Sequence, residues 1–126
     1  MIQGIGTDIV EIERIEKALK KKGFLERYFT EDEILYYQKE GQKAQTIAAN
    51  FAGKEAAAKA MGTGFSGFSA IEMEVLRDEK GAPFLKAHGK CCELLKTMGI
   101  EKIHLSLSHS KEYATAFALA EGEKKR

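Results

Sequence analysis

Two acidic residues and a lysine are the natural starting point in this chain of 126 residues. Asp8 closes the stretch GIGTD, and Glu55 and Lys59 lie inside FAGKEAAAKAMGTG, residues 51–64. On a helix Ile47, Phe51, Glu55 and Lys59 fall four apart along one stripe, with Ala48, Ala52 and Ala56 beside it. A carboxylate among small and apolar neighbours is costly unless something pairs with it. One candidate partner is Lys59, one turn on and in the favoured order of glutamate before lysine. The other is a metal ion, and the helix alone leaves both open. Asp8 also has two readings. Gly4 and Gly6 share its parity on a strand over residues 2–8, so the strand face leading to it carries almost no side chain. That face leaves room for something bulky or for the close approach of another backbone. Alternatively, Asp8 with Glu11 three residues on forms a helix capping box.

Gly62, Thr63 and Gly64 follow the helix rather than precede it. In a phosphate loop the glycines come first and the anion sits on the positive helix N-terminus. Here they lie at the negative end, so GTG reads as a C-cap, and a phosphate there needs Lys59 or a cation beside it. Ser108, His109, Ser110 and Lys111 put two hydroxyls, an imidazole and an ammonium into four residues. Such a group is an anion clasp or simply a polar hairpin turn. One histidine near serines is not a catalytic triad, and no nucleophile-elbow sequence is present. Arg14, Lys17 and Lys21 lie on one helical stripe of RIEKALKKKGFLER, which runs to Arg27. That stripe is a solvated helix face or a docking surface for an acidic helix.

The elements that must position these groups follow from periodicity. The pattern predicts a helix over residues 9–22 stopped by Gly23, and a second from a Thr30–Glu33 capping box to about Glu40. A third covers about 44–61 with Gly62 as its cap. Residues 71–77 alternate as a strand, DEKGAP turns the chain, and FLKA returns. HGKCCELLKTMG reads as a helix with Cys91, Leu95 and Met98 on one stripe. Residues 102–109 and 113–121 pair as a hairpin whose second strand carries alanine at 114, 116, 118 and 120, a small face for a helix or another subunit. Helices with antiparallel strands make an α+β fold, a single domain over residues 1–126 with a long central helix packed on a mostly antiparallel sheet.

Composition narrows the class. The formal net charge of +1 sets up no field for nucleic acid, and no apolar run is long enough to span a bilayer. The N-terminus has neither a basic leader nor a long apolar core, so a cytoplasmic location is expected. Adjacent Cys91 and Cys92 suit neither a disulfide nor a CxxC redox pair. A zinc site with His88 and His104 is poorly spaced, and buried free thiols on a helix fit better.

Taken together, GIGTDIVEIERI, FAGKEAAAKAMGTG and SLSHSKEYATA resemble the signature segments of the holo-acyl-carrier-protein synthases, the small single-domain phosphopantetheinyl transferases. The likeness runs in order from Met1 to about Glu121. The chain departs from many relatives at Asn50, where an arginine often precedes FA, at Gly53, and in GAP at residues 81–83 where GKP is usual. The resemblance implies transfer of phosphopantetheine from coenzyme A to a serine of an acyl carrier protein. It implies magnesium as the ion, adenosine bisphosphate as the leaving product, and a homotrimer with active sites between adjacent subunits. Asp8 and Glu55 are then the carboxylates holding magnesium, which keeps several waters and takes one or two carboxylates plus phosphate oxygens. On the same likeness the bare strand face beside Asp8 receives the pyrophosphate, and Lys59 touches a phosphate or assists proton transfer. Either Glu55 or a metal-bound water deprotonates the serine. Ser108 and His109 hold coenzyme A phosphates, the backbone of Gly62, Thr63 and Gly64 borders the donor, and Arg14 with Arg27 grips the carrier.

Two other functions fit some of these residues: a non-catalytic coenzyme A or nucleotide binding module, and an interaction domain for acidic helices. Only the transferase needs both carboxylates near a metal.

Overall fold

The computed structural model describes residues 1–123. Strand β1 (Ile2–Glu11) leads into helices α1 (Ile12–Leu19), α2 (Phe24–Tyr28) and α3 (Glu31–Lys39). The long helix α4 (Ala44–Met61) follows, and a short 3-10 turn at Ala70–Glu72 opens the hairpin β2 (Met73–Arg77) and β3 (Pro83–Ala87). Helix α5 (Gly89–Met98) and the hairpin β4 (Ile100–His109) and β5 (Tyr113–Gly122) are the last elements among the described residues. The strands form an antiparallel sheet in the order β1-β5-β4 and the separate β2-β3 ribbon. This is the expected α+β architecture, with α4 lying across the three-stranded sheet.

Small residues on both sides let α4 settle close to that sheet. Gly4, Gly6 and Asp8 pair in register with Ala120, Ala118 and Ala116, and these alanines are almost wholly buried. Ala48, Ala52, Ala56 and Ala60 of α4 are buried against them. A Cβ at Gly4 would stand 2.0 Å from the Ala60 carbonyl oxygen, and one at Gly6 would stand 2.1 Å from that of Ala56. The bare strand face therefore holds no space for a ligand, contrary to one expectation above. Helix backbone fills it, since burying apolar area by close contact stabilises the pair more than an open groove would.

The first helix also differs from expectation. β1 stays paired to β5 as far as Glu11 opposite Tyr113, and the Ile12 amide donates to the Glu112 carbonyl at 2.8 Å. The helix thus begins at Ile12 rather than residue 9, ends at Leu19, and has no side-chain cap at Glu11. Asp8 sits mid-strand, so the Asp8–Glu11 capping box does not form. Helix α2, started by Gly23 in the left-handed region, was not foreseen. The other boundaries fall within two residues of the reading, and the Thr30–Glu33 capping box is present.

The outward face of the main sheet is different in kind. Ile5 and Ile9 are 61% and 63% exposed, and Tyr113 and Phe117 are 43% and 47% exposed, all on the face away from α4. Cys91 is buried, where burial pushes its thiol up to about 11, and both cysteines are free. His88 is bonded to Glu74 and His104 to Glu121, and no metal-holding cluster of three or more histidine, cysteine or acidic residues occurs among the described residues. Among the described residues, no helix is long and apolar enough to cross a membrane.

Candidate active site

β1 and α4 bring Asp8, Glu55 and Lys59 together along one edge of the main sheet. Strand parity points Asp8 toward α4, and the helical spacing of 55 and 59 turns both residues to the same edge. Lys59 does not pair with Glu55 as one reading expected. Its Nζ donates to the Thr7 carbonyl at 3.0 Å and to Asp8 Oδ1 at 3.2 Å, because β1 presents both acceptors in front of it. Glu55 is left without an ion pair among the described residues. Partial burial, and then the Asp8 charge, hold its carboxyl above the usual carboxylate range, against the pull of Lys59 and Arg14.

Two carboxylates on one edge, with no group of three or more histidine, cysteine or acidic residues able to hold a metal among the described residues, form a donor set of a particular kind. It fits a hard cation that takes oxygen ligands and completes its shell with water and phosphate. It does not fit a closed tetrahedral zinc site.

Arg14 and Arg27 meet across a cleft of about 700 Å³ between α1 and α2, lined also by Lys17, Lys21 and Lys22 and by Glu11 and Glu13, so that the basic groups outnumber the acidic ones. Arg27 lies 5.5 Å from the Tyr28 ring centroid. Arg27, Tyr28 and Phe51 are also walls of a second cavity of about 360 Å³, lined further by Glu55, Phe65 and Ala70 among others. The basic cleft and the Glu55 cavity thus share one wall.

The remaining sequence candidates are placed elsewhere. Gly62 is the left-handed cap of α4, with its amide bonded to the Lys59 carbonyl at 2.9 Å, and the Gly64 amide closes on Ala58 at 3.1 Å. The Thr63 hydroxyl is bonded to the Gly64 carbonyl at 2.8 Å. Ser108 and His109 end β4, the opposite edge strand from β1. Within one chain they do not join Asp8 and Glu55.

Sequence reasoning missed a buried polar layer under the site. Lys54, 1% exposed, donates to Glu33 Oε1 at 2.7 Å and to the Tyr28 and Ala70 carbonyls at 2.7 and 3.1 Å. Burial pushes Glu33 up and Lys54 down, and each keeps the other charged against that pressure. Lys54 thereby fixes the chain at Tyr28 and Ala70, two walls of the Glu55 cavity. The only sequence signal was a lysine inside an alanine helix. Asn50 is wholly buried and donates to the Tyr37 hydroxyl at 2.8 Å, so that position cannot touch a ligand.

The family model described as the 4'-phosphopantetheinyl transferase superfamily matches residues 4–118. The chain is similar to the holo-[acyl-carrier-protein] synthase of Clostridium beijerinckii, with 48% identity over 122 residues covering 96% of this chain and 98% of that one. Among solved structures, the holo-[acyl-carrier-protein] synthase of Neisseria meningitidis superposes with a TM-score of 0.90 at 35% identity, covering 96% of this chain and 99% of that one. The Helicobacter pylori synthase in complex with coenzyme A superposes with a TM-score of 0.83 at 33% identity, covering 93% and 99%.

Proposed function

The chain belongs to the 4'-phosphopantetheinyl transferase superfamily, as an enzyme of its holo-[acyl-carrier-protein] synthase group, and from that premise we propose the details of its reaction. Phosphopantetheine passes from coenzyme A to a serine of an apo-acyl carrier protein in a magnesium-dependent step that releases adenosine 3',5'-bisphosphate. The observation that carries this reading is the convergence of Asp8 and Glu55, from β1 and α4, beside a basic cleft.

The chemistry assigns each group a task. A serine hydroxyl attacking a pyrophosphate needs the oxygen charge neutralised, the nucleophile aligned and a proton removed. Asp8 and Glu55 hold the divalent ion, which when bound supplies positive charge against the pyrophosphate oxygens. Lys59, already poised on Asp8, adds a second positive charge on the same edge. Of the groups on this edge, Glu55 has the raised basicity that suits it to accept the serine proton. Because α4 fills the glycine face of β1, the pyrophosphate lies along the outer edge at Lys59 rather than beneath the strand. The backbone of Gly62, Thr63 and Gly64 borders the donor beyond that edge.

Ser108 and His109 contact coenzyme A phosphates from a neighbouring chain of a homotrimer. Support comes from their position on the opposite sheet edge and from the exposed apolar face of Ile5, Ile9, Tyr113 and Phe117, which a second copy would cover. Light scattering should return a molar mass of three chains. Free thiols at Cys91 and Cys92 accord with a cytoplasmic location, the reducing compartment in which coenzyme A is used.

Incubation with coenzyme A, magnesium and apo-carrier tests the reaction directly. The carrier should gain the mass of one phosphopantetheine and should not do so when the ion is chelated. An unmodified carrier alongside tight coenzyme A binding would favour a non-catalytic binding module instead. For the docking cleft, Arg14→Ala is expected to weaken carrier binding about tenfold at low salt, with the deficit shrinking as salt rises. Coenzyme A affinity should be nearly unchanged, and a loss confined to coenzyme A would overturn the docking role.

A further inference from the structure

One wall of the Glu55 cavity is built differently from the rest. Tyr28 and Phe51 belong to helices α2 and α4 and pack edge to face, with ring centroids 5.7 Å apart. Phe65 lines the same cavity from the loop that joins α4 to the 3-10 turn. That loop is tied at both ends: the Gly64 amide donates to the Ala58 carbonyl at 3.1 Å, and Lys54 donates to the Ala70 carbonyl at 3.1 Å. Between those points residues 65–68 make no backbone–backbone hydrogen bond among the described residues. Gly64 and Gly67, at φ of 58° and 92°, turn the chain on either side of Phe65 in a conformation that side chains disfavour. The ring itself is what anchors the segment. It packs on Phe68 with centroids 5.4 Å apart and planes at 64°, and Phe68 is buried in the core.

Rings beside reacting groups have a definite effect on phosphoryl transfer, because they offer water nothing to bind and so keep it from competing as a nucleophile. On the transferase reading, which this inference rests on, the carrier's serine and water compete for one phosphorus, the one that carries the pantetheine ester. Attack by either forms a new oxygen–phosphorus bond and breaks the bond to the bridging oxygen, which leaves with its electron pair on adenosine 3',5'-bisphosphate. The proton of the attacking hydroxyl passes to the base. With serine the second product is holo-carrier, and with water it is free phosphopantetheine. We propose that Phe65 is a specificity-determining residue of the transfer: braced on Phe68, its ring shields the Glu55 cavity from solvent, so that serine attacks in preference to water. The helix-borne rings of Tyr28 and Phe51 form the fixed side of this shield, and the loop supplies the side that closes it.

The test counts bisphosphate released and carrier modified in the same reaction, with coenzyme A, magnesium and apo-carrier. The unaltered enzyme should form close to one holo-carrier for each bisphosphate. Phe65→Ala should release bisphosphate in excess, with free phosphopantetheine making up the difference and the hydrolysed share rising at least about tenfold. Phe65→Leu, which keeps a large apolar side chain, should bring that share most of the way back. The ratio counts only molecules that turn over, so a loss of folded protein lowers both products and leaves it unmoved. Phe65→Val, a smaller truncation, should give an intermediate share and serves if the alanine variant does not fold. An unchanged ratio in the truncated variants, or an excess that Phe65→Leu does not reduce, would overturn the proposal. So would a folded Phe65→Ala enzyme that binds coenzyme A and makes neither product. The two readings fail separately. If the unaltered enzyme modifies carriers one for one and the truncated variants do the same, the transferase stands and the shield falls. If the unaltered enzyme modifies no carrier, the transferase reading falls and the shield with it.

Discussion

Alanine at Asp8 or at Glu55 should each reduce phosphopantetheine transfer by at least about a thousandfold while leaving the folded state intact. On the proposed reading the two carboxylates together would hold the cation, and each would have no neighbouring carboxylate to replace it among the described residues. Lys59 cannot, since it carries the opposite sign. Turnover of one variant above a few per cent of the unaltered enzyme would refute the metal assignment. Stability separates this from misfolding, because the site costs the metal-free protein something. Burial and the Asp8 charge raise Glu55, so ionising it opposes folding. Below the ordinary carboxylate range both folded and unfolded chains are protonated there, and the cost is absent. It grows as pH rises through the folded-state value and is complete above it. Glu55→Gln should therefore raise the metal-free Tm by a few degrees near pH 8 and give no gain near pH 4. A lower Tm at pH 8 would mean that Glu55 is structural.

Lys54→Met should have the opposite outcome, although its position is adjacent in sequence. It removes the cation bonded to the buried Glu33 carboxylate and the donor to two carbonyls, at Tyr28 and Ala70. Stranding one member of a buried ion pair costs about 3–5 kcal/mol, a large share of the stability of a domain this size. The urea midpoint should fall accordingly, and activity should fall with it as the walls of the Glu55 cavity loosen. Replacing Glu33 as well should restore only part of the loss, because Glu33 also accepts from the amides of Thr30 and Val75 at 2.9 and 3.0 Å. A Lys54→Met protein with an unchanged midpoint would show that the pair contributes nothing net.

These neighbours mark how far a linear reading reaches. Glu55 was singled out because its type clashes with its stripe, and a stripe is defined by residues within two turns. Lys54 was passed over because nothing within four residues needs it. Its partner Glu33 was correctly read as the capping residue of α3, yet the same carboxylate also accepts from an ammonium 21 positions away. Strand parity correctly gives the glycine face of β1 as bare of side chains. What fills it, the backbone of α4, depends on how helix and sheet pack.

The sequence by itself determined the order and type of most elements, the caps at Thr30 and Gly62, the signature segments that place the chain in its family, and the two carboxylates worth testing. All of these are local: hydrogen bonds and side-chain periodicity are set by residues a few places apart. Only the tertiary structure decided that Asp8 lies mid-strand, that Lys59 bonds Asp8 instead of Glu55, that Asn50 is buried against Tyr37, and that Ser108 and His109 stand across the sheet from the carboxylates. Those contacts join residues far apart in the chain, and which acceptor a charged side chain finds is fixed only once strand register and helix packing have placed the alternatives within its reach.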